Sequence, residues 1–147
     1  MSNKIENQFL SLERSFQRLK DNYKKDPHIE DYVYSFFQDC FHFKNYVINS
    51  GLIDKNDVND FIELNTDMKI CRDICNGSKH CINNNPSIDR DIHKNINKRN
   101  YKIIKPITEE KHYCFIHGKN IPALDALELA ENCCLLWKTF LIKNKLL

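Results

Sequence analysis

The chain has 147 residues, a formal net charge of +2, and 41% hydrophobic against 29% charged residues. This composition excludes a wholly disordered chain, and the length suits one domain with a core of its own. With 22 basic and 20 acidic residues, the net charge alone gives no argument for nucleic-acid binding. Only three glycines and four prolines interrupt the chain, so long elements are expected within a single domain over residues 1–147.

The seven cysteines indicate a reducing compartment. Their number is odd, no Cys-x-x-Cys pair occurs, and most occupy apolar helical positions, where cysteine behaves as a small hydrophobic residue. The polar N-terminus lacks the apolar core of a signal peptide, and no run approaches the roughly 20 apolar residues that span a bilayer. We therefore expect a soluble, cytoplasmic protein with no membrane partner.

Hydrophobic periodicity predicts two long helices in the first third of the chain. Apolar residues recur at steps of three and four over residues 4–25, and Asp26-Pro27 ends this helix. The second helix is predicted over about 28–49, and Ser50-Gly51 closes it. Aromatic residues widen its apolar stripe, so we expect this helix at the buried centre of the fold.

A short helix is predicted over 55–64, followed by a longer one over about 66–82, here called the motif helix. Residues 83–100 are polar and rich in asparagine, and they are predicted to form an irregular connection.

The last third of the chain predicts a hairpin and a final helix. Runs of β-branched and aromatic residues at 101–107 and 111–117 flank a short acidic turn. Pro122 then opens a helix that runs to about Lys143. The predicted fold is mainly α: an antiparallel bundle of four main helices with a small β-hairpin before the last helix.

The motif helix carries the candidate chemistry. At about 100° per residue, its apolar residues gather on one side. The opposite arc holds an acid, an amide, an imidazole and cations, namely Lys69, Asp73, Asn76 and His80, with Arg72 and Lys79 at its flanks. A carboxylate near an imidazole orients it and raises its pKa, and neighbouring cations can hold a phosphate. A solvated helix face remains the alternative.

His42 is a second candidate, on a very apolar part of the second helix. If that helix packs against the motif helix, His42 and His80 can line one cleft. The alternative is a histidine at the edge of the core, satisfied by hydrogen bonds.

A basic stretch precedes and enters the predicted hairpin. It includes Arg90, Lys94, Lys98, Arg99, Lys102 and Lys105, with Tyr101 among them. Cations interleaved with an aromatic residue suit a surface that follows a nucleic-acid backbone. Asp89 and Asp91 dilute the charge, so a solvated loop is the alternative.

A metal site is the third interpretation considered. His112, Cys114 and His117 are close in sequence, but the period of two in a strand puts His117 on the opposite face. Cys71 and Cys75 share the apolar face of the motif helix, which belongs to the core. No zinc-ligand spacing occurs, and neither a metal nor another cofactor is expected.

The segments His42-Phe43-Lys44-Asn45 and Asp73-Ile74-Cys75-Asn76-Gly77-Ser78-Lys79-His80 carry a family resemblance, with Trp137-Lys138-Thr139-Phe140-Leu141 near the end. The chain resembles small bacterial and phage-associated helical proteins with an aspartate-x-x-asparagine-x-x-lysine-histidine signature, which are similar to the HEPN superfamily. HEPN proteins are helical bundles, often dimeric, and many are metal-independent ribonucleases of toxin or defence systems. The usual pattern is an arginine, often followed by a polar residue, then four to six residues and a histidine. Here seven residues separate Arg72 from His80, and six of them follow Asp73.

The resemblance implies RNA cleavage in which a ribose 2′-hydroxyl attacks its own phosphate. His80 would be the general acid or base and Asp73 its orienting group, with Asn76 as a hydrogen-bond donor and Arg72 or Lys79 as the phosphate clamp. We therefore expect a homodimeric, nucleic-acid- or nucleotide-directed factor, with RNA and a cognate protein as candidate partners. The alternative function is a non-catalytic helical interaction or dimerisation module.

Overall fold

The structure is a computed structural model that describes residues 2–80, 96–103, 109–118 and 121–147. Side-chain positions are described for residues 4–77, 111–117 and 122–147. The described part contains five helices: α1 (Ser2–Asn22), α2 (Ile29–Asn49), α3 (Lys55–Glu63), α4 (Thr66–His80) and α5 (Ala126–Lys143). Among them, none combines the length and apolar character needed to cross a lipid bilayer.

Three strands form one antiparallel sheet in the order β1 (Ile96–Ile103), β2 (Glu109–Gly118) and β3 (Ile121–Asp125). Its register shifts between Ile116 and Gly118, at the end of β2. The sheet is joined to the helices by a short bridge, in which Lys24 and His112 exchange two backbone hydrogen bonds.

The helix α2 is the centre of the core, as its wide apolar stripe predicted. It contacts each of the four other described helices and the strands β1 and β2. Its residues Val33, Phe36, Phe37 and Cys40 are fully buried. Trp137 of α5 packs edge-on against Phe43 of α2, with ring centroids 5.0 Å apart.

The mainly helical prediction and the antiparallel hairpin before the last helix are confirmed, but two boundaries were wrong. β1 begins at Ile96, inside the stretch predicted as an irregular connection, because eight of its positions pair with β2. The last helix begins at Ala126, not at Pro122, because residues 121–125 pair with β2 as β3. The side chain of Asp125 then accepts a hydrogen bond from the Leu127 amide and caps α5. The rest of the predicted connection, 83–95, and part of the first predicted strand, 104–107, lie outside the described residues.

Candidate functional site

The motif helix, α4, is covered on most of its circumference. It packs against α2, α3 and α5. Beyond its first turn, the partly exposed residues with described side chains are Lys69, Arg72 and Asn76. These three follow one another at helical spacing and form a narrow open stripe.

Asp73 is fully buried, with 0% of the residue exposed, although it belongs to the predicted polar arc. It borders the open stripe on the side that the neighbouring helices cover. Burial of a carboxylate is costly unless another group compensates, and Asp73 does interact with a neighbouring group. The solvated-face alternative therefore describes Lys69, Arg72 and Asn76 but not Asp73.

His80 is the last residue of α4. It follows Asp73 by seven positions and Asn76 by four, so the three share one sector of the helix. The side chains of Lys79 and His80 lie outside the described ones, and the pairing of Asp73 with His80 stays a prediction.

His42 lies at the interface of α2 and α4. Its Nε2 atom is 3.7 Å from Cys75 Sγ, and the imidazole is partly buried. The packing of α2 on α4, on which the proposed shared cleft depends, is therefore present.

Arg72 connects α4 to α3 through an ion pair. Its Nη1 atom lies 2.7 Å from Glu63 Oε1. The hydrogen bond and charge of Arg72 lower the pKa of the exposed Glu63 carboxyl. Arg72 is thus anchored within the open stripe, and its charge is partly compensated by Glu63.

Lys44 adds a cation near the same helix junction. Its Nζ atom lies 4.2 Å from the centroid of the Phe41 ring. Partial burial, together with the charge of Arg72, lowers the pKa of Lys44. Two cations are thus close enough to repel each other at the junction of α2 and α4.

The two faces of β2 differ strongly. His112, Cys114 and Ile116 are buried, whereas Lys111, Tyr113, Phe115 and His117 are partly exposed. This alternation confirms the expectation that His112 and Cys114 share one face and His117 lies on the other. The described part of β2 thus offers no set of three adjacent zinc ligands.

The partly exposed face of β2 combines aromatic rings with cations. The rings of Tyr113 and Phe115 are nearly parallel, at 23°, with centroids 6.2 Å apart. Lys24 Nζ lies 5.4 Å from the centroid of Tyr113. Lys111 flanks the pair on the same strand. We call Lys24, Lys111, Tyr113 and Phe115 the aromatic-basic face.

The strand β1 brings part of the predicted basic stretch to this sheet. Position 99 pairs with Tyr113 and position 101 with Lys111, and directly paired positions lie on the same face. Arg99 and Tyr101 therefore occupy positions on the aromatic-basic face, while Lys98 and Lys102, paired with Cys114 and Glu110, occupy the other.

The strand register thus divides the predicted basic stretch between the two faces of the sheet. The side chains of Lys98, Arg99, Tyr101 and Lys102 are not among those described, and Arg90, Lys94 and Lys105 lie wholly outside the described residues.

Tyr113 and Phe115 were not among the predicted site residues. A usable signal was present, because the two aromatic residues are two positions apart and follow Lys111 at the same spacing. In a strand this spacing puts all three on one face.

A cluster of three thiols was also missed. The Sγ atoms of Cys40 in α2, Cys71 in α4 and Cys133 in α5 all lie within 4.8 Å of one another, and the three residues are fully buried. From the sequence, most of the cysteines were interpreted as small hydrophobic residues, and Cys71 was predicted to belong to the core. Their proximity depends on how three helices pack together, so the spacing of residues along the sequence could not predict it.

The three thiols do not hold their protons equally. Hydrogen bonds from Cys40 and Cys71 lower the pKa of Cys133 to about 6. Burial raises the pKa values of Cys40 and Cys71. Of the three thiols, Cys133 therefore loses its proton most readily, although the carboxylate of Asp67 opposes a negative charge there.

A groove of about 900 Å³ lies between α3, α5 and the start of α4. Its apolar lining includes Leu64 and Leu135, which are 83% and 54% exposed. Asp57, Asp60 and Asp67 line it together with Lys143. This groove was not predicted, because its walls come from separate helices.

Comparison of the chain with protein-family models, with curated proteins and with solved structures gave no match. The side chains that the fold brings together are therefore the basis for assigning a function.

Proposed function

We propose that the protein is a nucleic-acid-directed factor that binds single-stranded RNA across the aromatic-basic face. The stacked pair of Tyr113 and Phe115 beside Lys24 is the observation that carries this proposal. Unstacked bases bind on aromatic rings, and cations alongside them attract the phosphates. A net charge of only +2 makes such local grouping of cations necessary for binding.

The proposed chemistry is that of the HEPN-like proteins the chain resembles. In this proposal His80 acts as general acid or base and Asp73 orients it. Asn76 donates a hydrogen bond, and Arg72 or Lys79 holds the phosphate. His42, seated against Cys75, is available as a second imidazole at the same helix junction. More specifically, the proposed protein is a HEPN-like helical bundle. It acts as a homodimer in a toxin or phage-defence system.

Binding is tested by fluorescence anisotropy with a labelled single-stranded RNA and its DNA counterpart. Phe115→Ala removes one stacking surface, so we expect affinity to fall by roughly 5- to 150-fold, which corresponds to about 1–3 kcal/mol per stacked base. Lys111→Gln should reduce the dependence on salt concentration by about one phosphate contact. Lys138→Gln, which neutralises an exposed lysine of α5, is the control and should bind like the parent.

Circular dichroism of each variant shows whether the fold is kept. Wild-type protein that binds no RNA, or folded Phe115→Ala protein that binds as tightly as the parent, would contradict the proposed face.

Cleavage is tested separately with mixed RNA in EDTA, comparing the parent with His80→Ala. Cleavage by the parent and none by His80→Ala supports the metal-independent mechanism. If both proteins bind RNA and neither cleaves it, the catalytic part is wrong and the binding function remains.

A second candidate function is dimerisation through the groove of α3 and α5. In a two-fold dimer the same patch of each subunit faces the other, so Lys143 of one copy can meet Asp57, Asp60 and Asp67 of the second. The exposed leucines Leu64 and Leu135 would be covered in the same contact. The exposed apolar lining is the observation that favours this contact, since three carboxylates and one lysine leave the groove with an excess of negative charge.

Light scattering coupled to gel filtration tests this candidate. Leu135→Glu should convert a dimer to a monomer, because it places a carboxylate in the apolar contact. Ile142→Glu is the matched control, since Ile142 is an exposed apolar residue of the same helix that does not line the groove. A monomeric parent, or a dimer that survives Leu135→Glu, would rule out this interface.

A further inference from the structure

The thiol cluster is built like a three-coordinate site. Its cysteines come from three different helices, and their Sγ atoms lie within 4.8 Å of one another. An ion bonded to all three sulfurs at about 2.3 Å holds them about 4 Å apart in a planar arrangement and about 3.5 Å apart in a pyramidal one. Adjustments of less than about 1 Å therefore suffice to bring the three thiols onto one ion.

Hydrogen bonds to backbone carbonyls surround the thiol cluster. The indole Nε1 of Trp137 donates to the Cys40 carbonyl at 3.1 Å. The thiols of Cys71 and Cys133 lie 3.6 Å from the backbone carbonyls of Phe37 and Asp67. These contacts position the backbone segments that carry the three cysteines. The arrangement of the thiols is therefore preorganised for binding.

The charge of the surroundings limits which ion can be held. All three cysteines are fully buried, and net charge in such a place is costly. Three thiolates leave a net charge of −2 around Cu(I) and −1 around Zn(II), but zero around a trivalent ion. The nearby Asp67 carboxylate opposes any added negative charge at Cys133. Structural zinc sites also take four ligands, and the cluster supplies three.

We propose that Cys40, Cys71 and Cys133 form a binding site for trivalent arsenic or its chemical equivalent, antimony. Arsenous acid is neutral at physiological pH and enters as As(OH)₃. Three As–O bonds break and three As–S bonds form, and each thiol proton leaves in a water molecule. The product is a neutral tris-thiolate plus three waters, with no change in oxidation state and no charge left in the core.

Access requires local opening of the packing between α2, α4 and α5. Binding to the folded protein is therefore expected to be slow, and refolding in the presence of the ligand should load the site quickly. Once formed, the adduct links three helices and should raise the thermal midpoint of the full chain.

The test uses reduced full-length protein, sodium arsenite and mass spectrometry under native conditions. The expected adduct has the mass of one arsenic atom minus three hydrogens, which reports three thiols directly. Cys133→Ala should abolish this adduct both after long incubation and after refolding. Cys134→Ala is the matched control, since Cys134 is the neighbouring cysteine and lies outside the cluster.

A second measurement compares ions by thermal shift, using arsenite, zinc, cadmium and Cu(I) separately at equal concentration. The largest stabilisation is expected from arsenite and should be lost in Cys133→Ala. The proposal is overturned if refolded parent protein forms no three-hydrogen adduct, or if Cys133→Ala still forms it. Greater stabilisation by zinc or Cu(I) would also overturn it, because the neutrality argument would then be wrong.

Discussion

The hydroxyl of Tyr23, at the end of α1, lies 2.8 Å from Asp125 Oδ1, at the start of α5. The same hydroxyl accepts a hydrogen bond from the Cys114 amide in β2 at 3.1 Å and lies 3.0 Å from the Cys114 carbonyl. Asp125 Oδ1 also accepts from the Leu127 amide and so caps α5. One phenol therefore joins the first helix, the sheet and the last helix.

Tyr23→Phe should lower the free energy of unfolding by about 1–3 kcal/mol. The substitution keeps the ring in the core and leaves the buried backbone groups of Cys114 and the partly buried carboxylate of Asp125 without the hydroxyl. Urea unfolding followed by circular dichroism measures the effect. Tyr46→Phe, at an exposed tyrosine of α2, is the control and should be close to neutral. Equal stability of the Tyr23→Phe protein and the parent would show that the hydroxyl contributes nothing net.

The same hydroxyl should make stability fall at high pH. Burial raises the pKa of Tyr23 far above the ordinary tyrosine value of about 10. In the unfolded chain this phenol loses its proton near pH 10, whereas in the folded protein it stays neutral. Its contribution is therefore complete below pH 10 and is lost as pH rises further. Unfolding curves from pH 8 to 11 should show a smaller decline for Tyr23→Phe than for the parent, and parallel declines would contradict this assignment.

Trp137→Phe should destabilise the protein by at least about 1–3 kcal/mol. The indole is fully buried and donates to the Cys40 carbonyl, which then loses its donor inside the core. The smaller ring also leaves a cavity beside Phe43 and Phe61. Since Trp137 is the one tryptophan of the chain, unfolding of the variant has to be followed by circular dichroism. An unchanged midpoint in urea would mean that the core repacks around the smaller ring without a loss in the free energy of unfolding.

Asp73→Ala should lower the free energy of unfolding by about 1–3 kcal/mol, because its carboxylate is fully buried and interacts with a neighbouring group. Asp73→Asn keeps the shape and one acceptor, so a smaller loss is expected. If Asp73 served only to orient His80, the opposite pattern is expected, with stability unchanged and cleavage lost. Urea unfolding and the RNA-cleavage assay, run on the same preparations, separate the two roles.

The sequence predicted helices better than it predicted their ends. The spacing of apolar residues follows from backbone geometry and is local, so α2 was placed to within a residue. Strand boundaries depend on a pairing partner elsewhere in the chain. Ile96 therefore became part of β1, and Pro122 part of β3, against local expectation.

The candidate sites show the same division. By itself the sequence determined the order of helices, the central place of α2 and the alternating faces of β2, all of which follow from periods of 3.6 and 2 residues. Only the tertiary structure decided that Asp73 is buried, that Tyr113 and Phe115 lie beside Lys24, and that three distant cysteines meet. Those outcomes depend on which faces of separate elements pack together, and the residue pattern within a single element does not determine that packing.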